Sequence, residues 1–421
     1  MAGQHDEQIL ETLVASCRAL VALHGDPGSD AVADVVIRRY HDLTPKGRAR
    51  FFSFCASELG PDHRAVRSAI DSYLADPNDS GVVRLRNATM TPRMSLFDTL
   101  NNATAGLSAL LQMRADLANA ARDAPDLEPV DADLLRLFQL WFNRGFLELR
   151  SLDWSTPART LEKLIEYEAV HEITGWDDLR RRLDATDRRI FAYFHPALPD
   201  DPVIFVEVAL TRGLASSIQQ LLAPRQGQPE SDRFDTAIFY SITNCQSGLR
   251  GVTFGNALIK QVTSVLAGEV PELTTFSTLS PIPGFRRWLD DRRSSRDAGL
   301  STADRAKLAH LDEPGWLGDA RHVRRVRPVL ERACARCLLA ARPDGMPVDP
   351  VARFHLRNGA RVERINWAGD TSERGIAQSA GMLVNYLYDP DSIETNRQRL
   401  ELEGHIAHSP LVADLAALQR S

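Results

Sequence analysis

The first part of the chain has a helical pattern of apolar and polar positions. In residues 6–24, "DEQILETLVASCRALVALH", apolar side chains recur at steps of three and four, and the same spacing runs through residues 134–152, "LLRLFQLWFNRGFLELRSL". This spacing gives each helix one apolar stripe that can face a core. Alternating strand patterns are hard to find before residue 183. We therefore predict an all-helical domain over residues 1–185.

The pattern changes near residue 186. Residues 190–194 and 203–210 are short runs of β-branched and aromatic side chains joined by a proline-rich connection, which is typical of two strands. A helix over residues 213–222, a strand over 236–243, a glycine-bearing loop with a following helix, and a strand over 273–280 complete the pattern. This order predicts a mixed sheet with helices packed on it. The fold class is therefore α+β, with a mixed-sheet α/β domain over residues 186–421.

Composition narrows the classes of function. The chain has 421 residues, 43% hydrophobic and 25% charged, with a formal net charge of −6. It has no overall basic field, so nucleic acid is a poor candidate for a partner. No apolar run approaches the roughly 18 to 20 residues that cross a bilayer, so we expect no membrane partner. The acidic opening lacks the features of a secretory or transit signal, and we expect a cytoplasmic protein.

The cysteines and histidines do not predict a metal centre. Cys334 and Cys337 lie in "RPVLERACARCLLAAR", a segment of helical period without a second ligand pair at a zinc-like distance. Two small buried cysteines on one helix face are the preferred interpretation. His405 and His408 have no neighbouring carboxylate or cysteine partner, so they fit surface residues better than ligands. We predict neither a metal nor a cofactor.

A glycine-bearing loop, "SGLRGVTFGNALIKQV", follows a predicted strand and leads into a helix. Free N–H groups and the positive end of the helix point at whatever lies beyond the loop, which suits a phosphate. Gly251 allows a diphosphate to approach the backbone closely, Gly255 allows close helix packing, and Arg250 adds a charge. An ordinary strand-to-helix connection remains the alternative. The form Arg-Gly-x-x-x-Gly before an apolar helix resembles the pyrophosphate-binding loop of the GNAT acetyltransferase superfamily, which holds coenzyme A.

Two further stretches carry a serine and a histidine. Ser280 ends a predicted strand in "STLSPIPGF", where Pro281 and Pro283 stiffen the backbone and remove two donors. The alternative is a serine that caps the helix starting near Gly284. His355 stands between apolar neighbours in "FHLRNGARVERINW". Taken alone, it fits a core histidine better than a catalytic one.

Four stretches together resemble the malonyl-CoA decarboxylase family in their order and at about their spacings: the earlier "WDDLRRRL", the two stretches above, and "RGIAQSAGMLVNYLYDP". The resemblance runs from around residue 141 to 388. The resemblance implies a helical domain followed by a GNAT-like catalytic domain. It implies that Ser280 and His355 are the catalytic pair and that Tyr388 lies near the histidine. The alternative for Tyr388 is a packed ring at the end of an apolar helix. It further implies that the substrate is bound by Arg250, Gly251, Val252, Thr253, Phe254, Gly255, Asn256 and Asn385.

The chemistry of such a decarboxylase suits these residue types. Loss of CO2 from malonyl-CoA leaves two electrons that the thioester carbonyl accepts as an enolate, so no metal, pyridoxal or biotin is required. The protein supplies a donor at the thioester oxygen and an acid for the α-carbon. An imidazole that titrates near neutrality fits the acid, and we expect His355 to have this role. The role of Ser280 stays open between positioning and proton acceptance.

Other functions remain open at this stage. A GNAT-type acyltransferase would pass the acyl group from coenzyme A to an amine, and a noncatalytic sensor would bind the thioester without turnover. The family resemblance implies a role in fatty acid metabolism and a homo-oligomer, expected to be a tetramer, assembled through the helical domain.

Overall fold

The computed structural model describes residues 2–23, 28–183, 186–223, 234–252, 254, 257–295, 300–313 and 315–417. Contacts divide the chain into two compact units. Unit 1 consists of Met1–Leu149, Tyr193–Ile204 and Asn244–Phe254, and unit 2 of Arg150–Ala192, Phe205–Thr243 and Gly255–Ser421.

Unit 1 is built from helices, as the apolar periodicity predicts. They are α1 (Ala2–Leu23), α2 (Ser29–His41), α3 (Pro45–Ser57), α4 (His63–Ala75), α5 (Asp79–Ala88), α6 (Pro92–Asn101), α7 (Gly106–Ala120) and α8 (Glu128–Trp141). Two begin at a Thr-Pro pair: the Thr44 hydroxyl accepts a hydrogen bond from Gly47 N, and the Thr91 hydroxyl one from Met94 N. The threonine satisfies a free N–H group, and the proline has a backbone angle already suited to the first turn.

Unit 2 and the strands that join the units form a sheet with helices around it. The strands are β1 (Glu148–Leu152), β2 (Arg188–Phe194), β3 (Ile204–Thr211), β4 (Thr236–Asn244), β5 (Thr275–Thr278), β6 (Ser280–Pro281), β7 (Arg361–Asn366) and β8 (Leu383–Leu387). The helices are α9 (Ala158–Tyr167), α10 (Trp176–Leu183), α11 (Ile218–Leu222), α12 (Ala257–Glu269), α13 (Phe285–Ser294), α14 (Thr302–Leu308), α15 (Ala320–Leu338), α16 (Pro350–Arg357), α17 (Glu373–Ser379), α18 (Ile393–Glu403) and α19 (Pro410–Ala417).

The sheet is mixed, which confirms the predicted fold class. Its order is β1-β2-β3-β4-β5-β8-β6, and β7 also pairs with β8. Strands β4 and β5 are parallel, whereas β8 runs antiparallel to β5, β6 and β7. Buried apolar side chains from β3, β4, β8 and α11 form a cluster on one face of this sheet. Strand β8 therefore pairs both with β6, which carries the candidate serine, and with β7, which follows the helix of the candidate histidine.

Several local predictions are confirmed and others need correction. Strands β2, β3 and β4 form where the sequence predicts them, and Cys334 and Cys337 are buried on α15. Residues 134–152 are not one helix, because α8 ends at Trp141 and β1 follows. Residues 213–217 precede the short α11 and are not helical, and Gly213 has φ +67°. Tyr388 follows strand β8 rather than an apolar helix.

The contact-based division differs from the predicted boundary near residue 186. Helices α9 and α10 belong to unit 2. Polar side chains on α10 and at the end of α9 bond to strands of the sheet. Arg182 Nη1 donates to Glu207 Oε2 on β3 at 2.9 Å, and Ser241 Oγ on β4 donates to Glu168 Oε2 at 2.7 Å. The helical period of α9 and α10 predicts an apolar stripe on each helix, but it does not show which part of the fold the stripe packs against. No helix among the described residues is long and apolar enough to span a membrane.

Candidate active site

Ser280 is fixed between two strands at the edge of the sheet. It lies on β6, where it pairs with Val384 of β8, and Leu279 N donates to Phe239 O on β4. The serine is buried. The capping interpretation is wrong, because α13 begins at Phe285 without a side-chain cap. The hydroxyl is therefore free of that local task.

His355 lies on α16, whose start is tied to the start of α13. Asp349 caps α16 by accepting hydrogen bonds from Val351 N and Ala352 N, both at 2.9 Å. The other oxygen of the same carboxylate accepts a hydrogen bond from Gly284 N at 3.1 Å. Burial raises the pKa of Asp349. One buried carboxyl group thus joins the segment after Ser280 to the helix that carries His355.

The structure brings the serine and the histidine together with a tyrosine. Ser280 Oγ lies 3.2 Å from His355 Nε2, and His355 Nδ1 lies 2.7 Å from Tyr388 Oη. The ring of Tyr386 stacks on the imidazole, with centroids 4.6 Å apart. Tyr386 lies on β8, and Tyr388 is the residue after this strand. The end of β8 therefore supports the imidazole ring of His355. The contact between Tyr388 and the histidine agrees with the position that the family resemblance implies.

The electrostatic state of His355 differs from the expectation. The side chain is only 3% exposed, and burial lowers its pKa to about 3. At neutral pH the imidazole is therefore uncharged, whereas the sequence led us to expect titration near neutrality. The reason is desolvation: among the described residues no carboxylate lowers the cost of a charge on the buried ring.

Asn385 is fully buried, and both the nitrogen and the oxygen of its amide are hydrogen-bonded to other residues of the protein. Its Nδ2 donates to Thr278 O at 2.7 Å and to Ala215 O at 3.0 Å. Its Oδ1 accepts hydrogen bonds from Arg364 Nε and Asn366 Nδ2. An amide makes four hydrogen bonds, so this side chain is saturated. Its geometry suits the support of β5 and β8 behind the serine, and its contact with substrate stays a prediction.

The glycine-bearing loop belongs to unit 1 as far as Phe254. Gly251 has φ +86°, a left-handed conformation that glycine adopts without strain. Helix α12 begins at Ala257, as the predicted loop-to-helix order requires. Among the predicted substrate contacts Arg250, Gly251, Val252 and Phe254 are described. Thr253, Gly255 and Asn256 lie outside the described residues.

Arg114 on α7 holds this loop. Its Nη1 donates to Gly248 O at 2.6 Å and to Arg250 O at 2.7 Å, while Nε and Nη2 donate to the Asp131 carboxylate. The arginine is only 5% exposed. Gly248 packs so closely on α7 that a Cβ would lie 2.2 Å from Leu111 O. The carbonyl groups of the loop are thereby held toward the helix.

Sequence reasoning missed four residues of these two regions: Asp349, Tyr386, Thr278 and Arg114. Only Asp349 has a local signal, because an Asp-Pro pair before an apolar period predicts a helix start. The other three act through contacts between distant segments.

Comparisons with known proteins agree on one family. The N-terminal domain of malonyl-CoA decarboxylase matches residues 59–142, and the C-terminal domain matches residues 145–421. A mitochondrial malonyl-CoA decarboxylase of Anser anser anser is 37% identical over 394 residues, which span 86% of this chain and 78% of that protein.

Two solved structures are similar over nearly the whole chain. The crystal structure of malonyl-CoA decarboxylase from Agrobacterium vitis is 44% identical with a TM-score of 0.92, covering 97% of this chain and 100% of that one. The one from Rhodopseudomonas palustris is 41% identical with a TM-score of 0.89, covering 96% and 98%. These matches place the chain among the carboxy-lyases. It belongs to the malonyl-CoA decarboxylase family, which confirms the resemblance found in the sequence.

Proposed function

We propose that this protein converts malonyl-CoA to acetyl-CoA and CO2 through a thioester enolate, with Ser280 and His355 as its catalytic pair. The observation that carries the proposal is the 3.2 Å approach of the serine hydroxyl to His355 Nε2 in a buried setting. The family is shown by the comparisons, whereas the roles of these residues are our proposal.

The reaction needs one hydrogen-bond donor and one acid. Cleavage of the bond between the α-carbon and the carboxylate releases CO2 and leaves the electron pair on the α-carbon, which the thioester carbonyl delocalises. A donor at the thioester oxygen stabilises this enolate, and an oxyanion donor contributes about 3 to 4 kcal/mol. A proton then returns to the α-carbon. Ser280 hydrogen-bonds the malonyl carboxylate or the developing enolate, and His355 delivers the proton from Nε2.

The low pKa of free His355 is compatible with this role. A bound malonyl group brings a negative charge beside the ring, and a nearby opposite charge favours the protonated imidazole. We expect the ring to take up a proton from solvent when substrate binds and to pass it to the α-carbon. Tyr388, 2.7 Å from Nδ1, orients the ring throughout. Proton uptake on substrate binding is measurable by calorimetry in buffers of different ionisation enthalpy.

Coenzyme A binding is assigned to the loop around Gly251. The left-handed glycine and the guanidinium of Arg250 suit a diphosphate. The contacts that we propose are those of Arg250, Gly251, Val252, Thr253, Phe254, Gly255 and Asn256. The cytoplasmic location and the role in fatty acid metabolism expected from the sequence belong to the same proposal.

Helices α4 and α5 support the expected homo-oligomer. No residue of α4 is buried, and in α5 only Gly81 is. Yet Ile70, Leu74, Val82 and Val83 are apolar and exposed, Leu74 by 69%. A contiguous apolar surface of this kind marks an interaction site. We propose that it contacts a second copy of the chain in a tetramer.

The oligomer has a direct test. Light scattering should give a multiple of 46.8 kDa for the wild type and a smaller mass for Leu74→Glu combined with Val83→Glu. Leu402→Glu is the matched control, because Leu402 is exposed on α18. A wild type that stays a monomer at micromolar concentration contradicts this part of the proposal.

Substitution of the catalytic pair tests the mechanism. Ser280→Ala and His355→Asn should each lower kcat by about 100-fold or more, the typical loss for a group that stabilises the transition state. The affinity for acetyl-CoA, measured by calorimetry, should change little. Ser294→Ala and His41→Asn replace exposed residues of the same types and should leave both values unchanged. A folded variant of either catalytic residue with near-normal turnover refutes the assignment.

A further inference from the structure

The serine and the histidine belong to a longer chain of hydrogen-bonding side chains in unit 2. Its order is Thr278, Ser280, His355 and Tyr388, and each of these residues is buried. We infer that Thr278 is a positioning residue that sets the direction of every hydrogen bond in this chain. The inference rests on the proposed catalytic pair. It assigns the donor and the acceptor in the contact between Ser280 and His355.

Thr278 defines one end of the chain. Ser280 Oγ donates to Thr278 Oγ1 at 2.9 Å, and Tyr386 N donates to the same oxygen at 3.1 Å. Thr278 is fully buried at the end of β5, and the backbone bond from Tyr386 holds its hydroxyl in place. The hydrogen of Ser280 thus points away from the histidine.

The direction then passes through the serine to the histidine and the tyrosine. Because Ser280 donates its own hydrogen to Thr278, Ser280 Oγ accepts a hydrogen bond from His355 Nε2 at 3.2 Å. The hydrogen of the neutral imidazole therefore lies on Nε2, and Nδ1 is the acceptor of the ring. The Tyr388 hydroxyl donates to Nδ1 at 2.7 Å.

This direction is opposite to that of a nucleophilic serine. An activated serine donates its hydrogen to a histidine nitrogen that has a free lone pair. In the present chain Nε2 carries a hydrogen on the side of Ser280. In the free protein the serine positions the imidazole, and bound substrate replaces Ser280 Oγ as the acceptor of Nε2–H. The geometry therefore assigns Ser280 no covalent malonyl intermediate in this reaction.

The tautomer of His355 is the most direct test, and it needs no turnover. Nitrogen-15 NMR of protein with labelled histidine, assigned by the signals lost in His355→Gln, should show a neutral ring with hydrogen on Nε2 at pH 7. A hydrogen on Nδ1 overturns the inference. Because this measurement uses the free protein, its result is independent of whether malonyl-CoA is the substrate.

Thr278→Val tests the role of Thr278, because it removes the hydroxyl that accepts from Ser280 and leaves the side-chain volume nearly unchanged. Loss of one neutral hydrogen bond should lower kcat by about 3- to 10-fold with an unchanged KM. Without its acceptor, Ser280 should turn toward the ring and shift the tautomer toward hydrogen on Nδ1. Thr278→Ser should restore both values, and Thr275→Val on the same strand should change neither.

Two results overturn the assignment of Thr278. One is a folded Thr278→Val variant with wild-type kcat and tautomer. The other is stoichiometric labelling of Ser280 in the wild type by a fluorophosphonate, which needs an activated serine. If Thr278→Val does not fold, Thr278→Ser and the wild-type labelling experiment still decide the question.

Discussion

Replacement of Arg114 by methionine separates binding from chemistry. The side chain makes two short hydrogen bonds to carbonyl oxygens of the candidate coenzyme A loop, at 2.6 and 2.7 Å, and bonds Asp131 with its other nitrogens. A hydrogen bond to a charged group contributes about 1.5 to 3 kcal/mol. If the position of the loop depends on one such bond, the affinity for the coenzyme A part of the substrate falls by about 10- to 150-fold. Methionine keeps an unbranched apolar stem in place of the arginine and removes every donor.

The assay is the comparison of KM for malonyl-CoA, kcat, and the dissociation constant of acetyl-CoA. We expect KM and the dissociation constant to rise together while kcat stays within about two-fold, because the loop contributes equally to ground state and transition state. Arg48→Met is the matched control: Arg48 bonds Asp116 at 2.9 Å in the same unit, and among the described residues it makes no hydrogen bond to the loop. A folded Arg114→Met variant with wild-type affinity, or one that loses only kcat, refutes the reasoning.

Three further predictions follow from the geometry. Gly248→Ala should lower Tm, because the new Cβ would lie 2.2 Å from Leu111 O, whereas Gly268→Ala on α12 meets no atom within 4 Å and should not. Stability should fall as pH drops below about 6.5, because unfolded histidine binds a proton that buried His355, with a pKa of about 3, does not. Urea titrations at pH 7 and 5.5 should show a loss that is about 1 kcal/mol smaller in His355→Asn, because buried His171, with a pKa of about 4, adds a loss of its own in both proteins; an equal loss in the two contradicts the assignment. Tyr388→Phe should lower kcat by about 3- to 10-fold with little change in KM, and a wild-type kcat would show that the hydroxyl does not orient the ring.

Part of the fold follows from local pattern. The period of three and four residues predicts the helices of unit 1, and short β-branched runs predict β2, β3 and β4. The same periodicity failed for residues 134–152, because the helix ends at Trp141 and the strand β1 depends on pairing with β2. The period of α9 and α10 could not show which core they join. That choice depends on Arg182 and Glu168 reaching polar partners on the sheet.

The candidate site divides in the same way. Ser280, His355 and Tyr388 stand in long motifs, so the sequence predicts them together. The charge on His355 was not predictable, because its pKa depends on burial by distant segments. Thr278 has no signal of its own, since the direction of a hydrogen bond depends on the next partner in space. Asp349 joins α13 to α16 through contacts separated by 65 residues in the chain.

The central claim is that this protein removes the free carboxyl group of malonyl-CoA with its own side chains. The most direct measurement follows purified protein with malonyl-CoA labelled in the free carboxylate, with a chelator present and no amine acceptor or other cofactor added. We expect labelled CO2 and acetyl-CoA in equal amounts, and no product from His355→Asn above background. Tight binding of malonyl-CoA without release of CO2, or acyl transfer that requires an amine, would contradict the account.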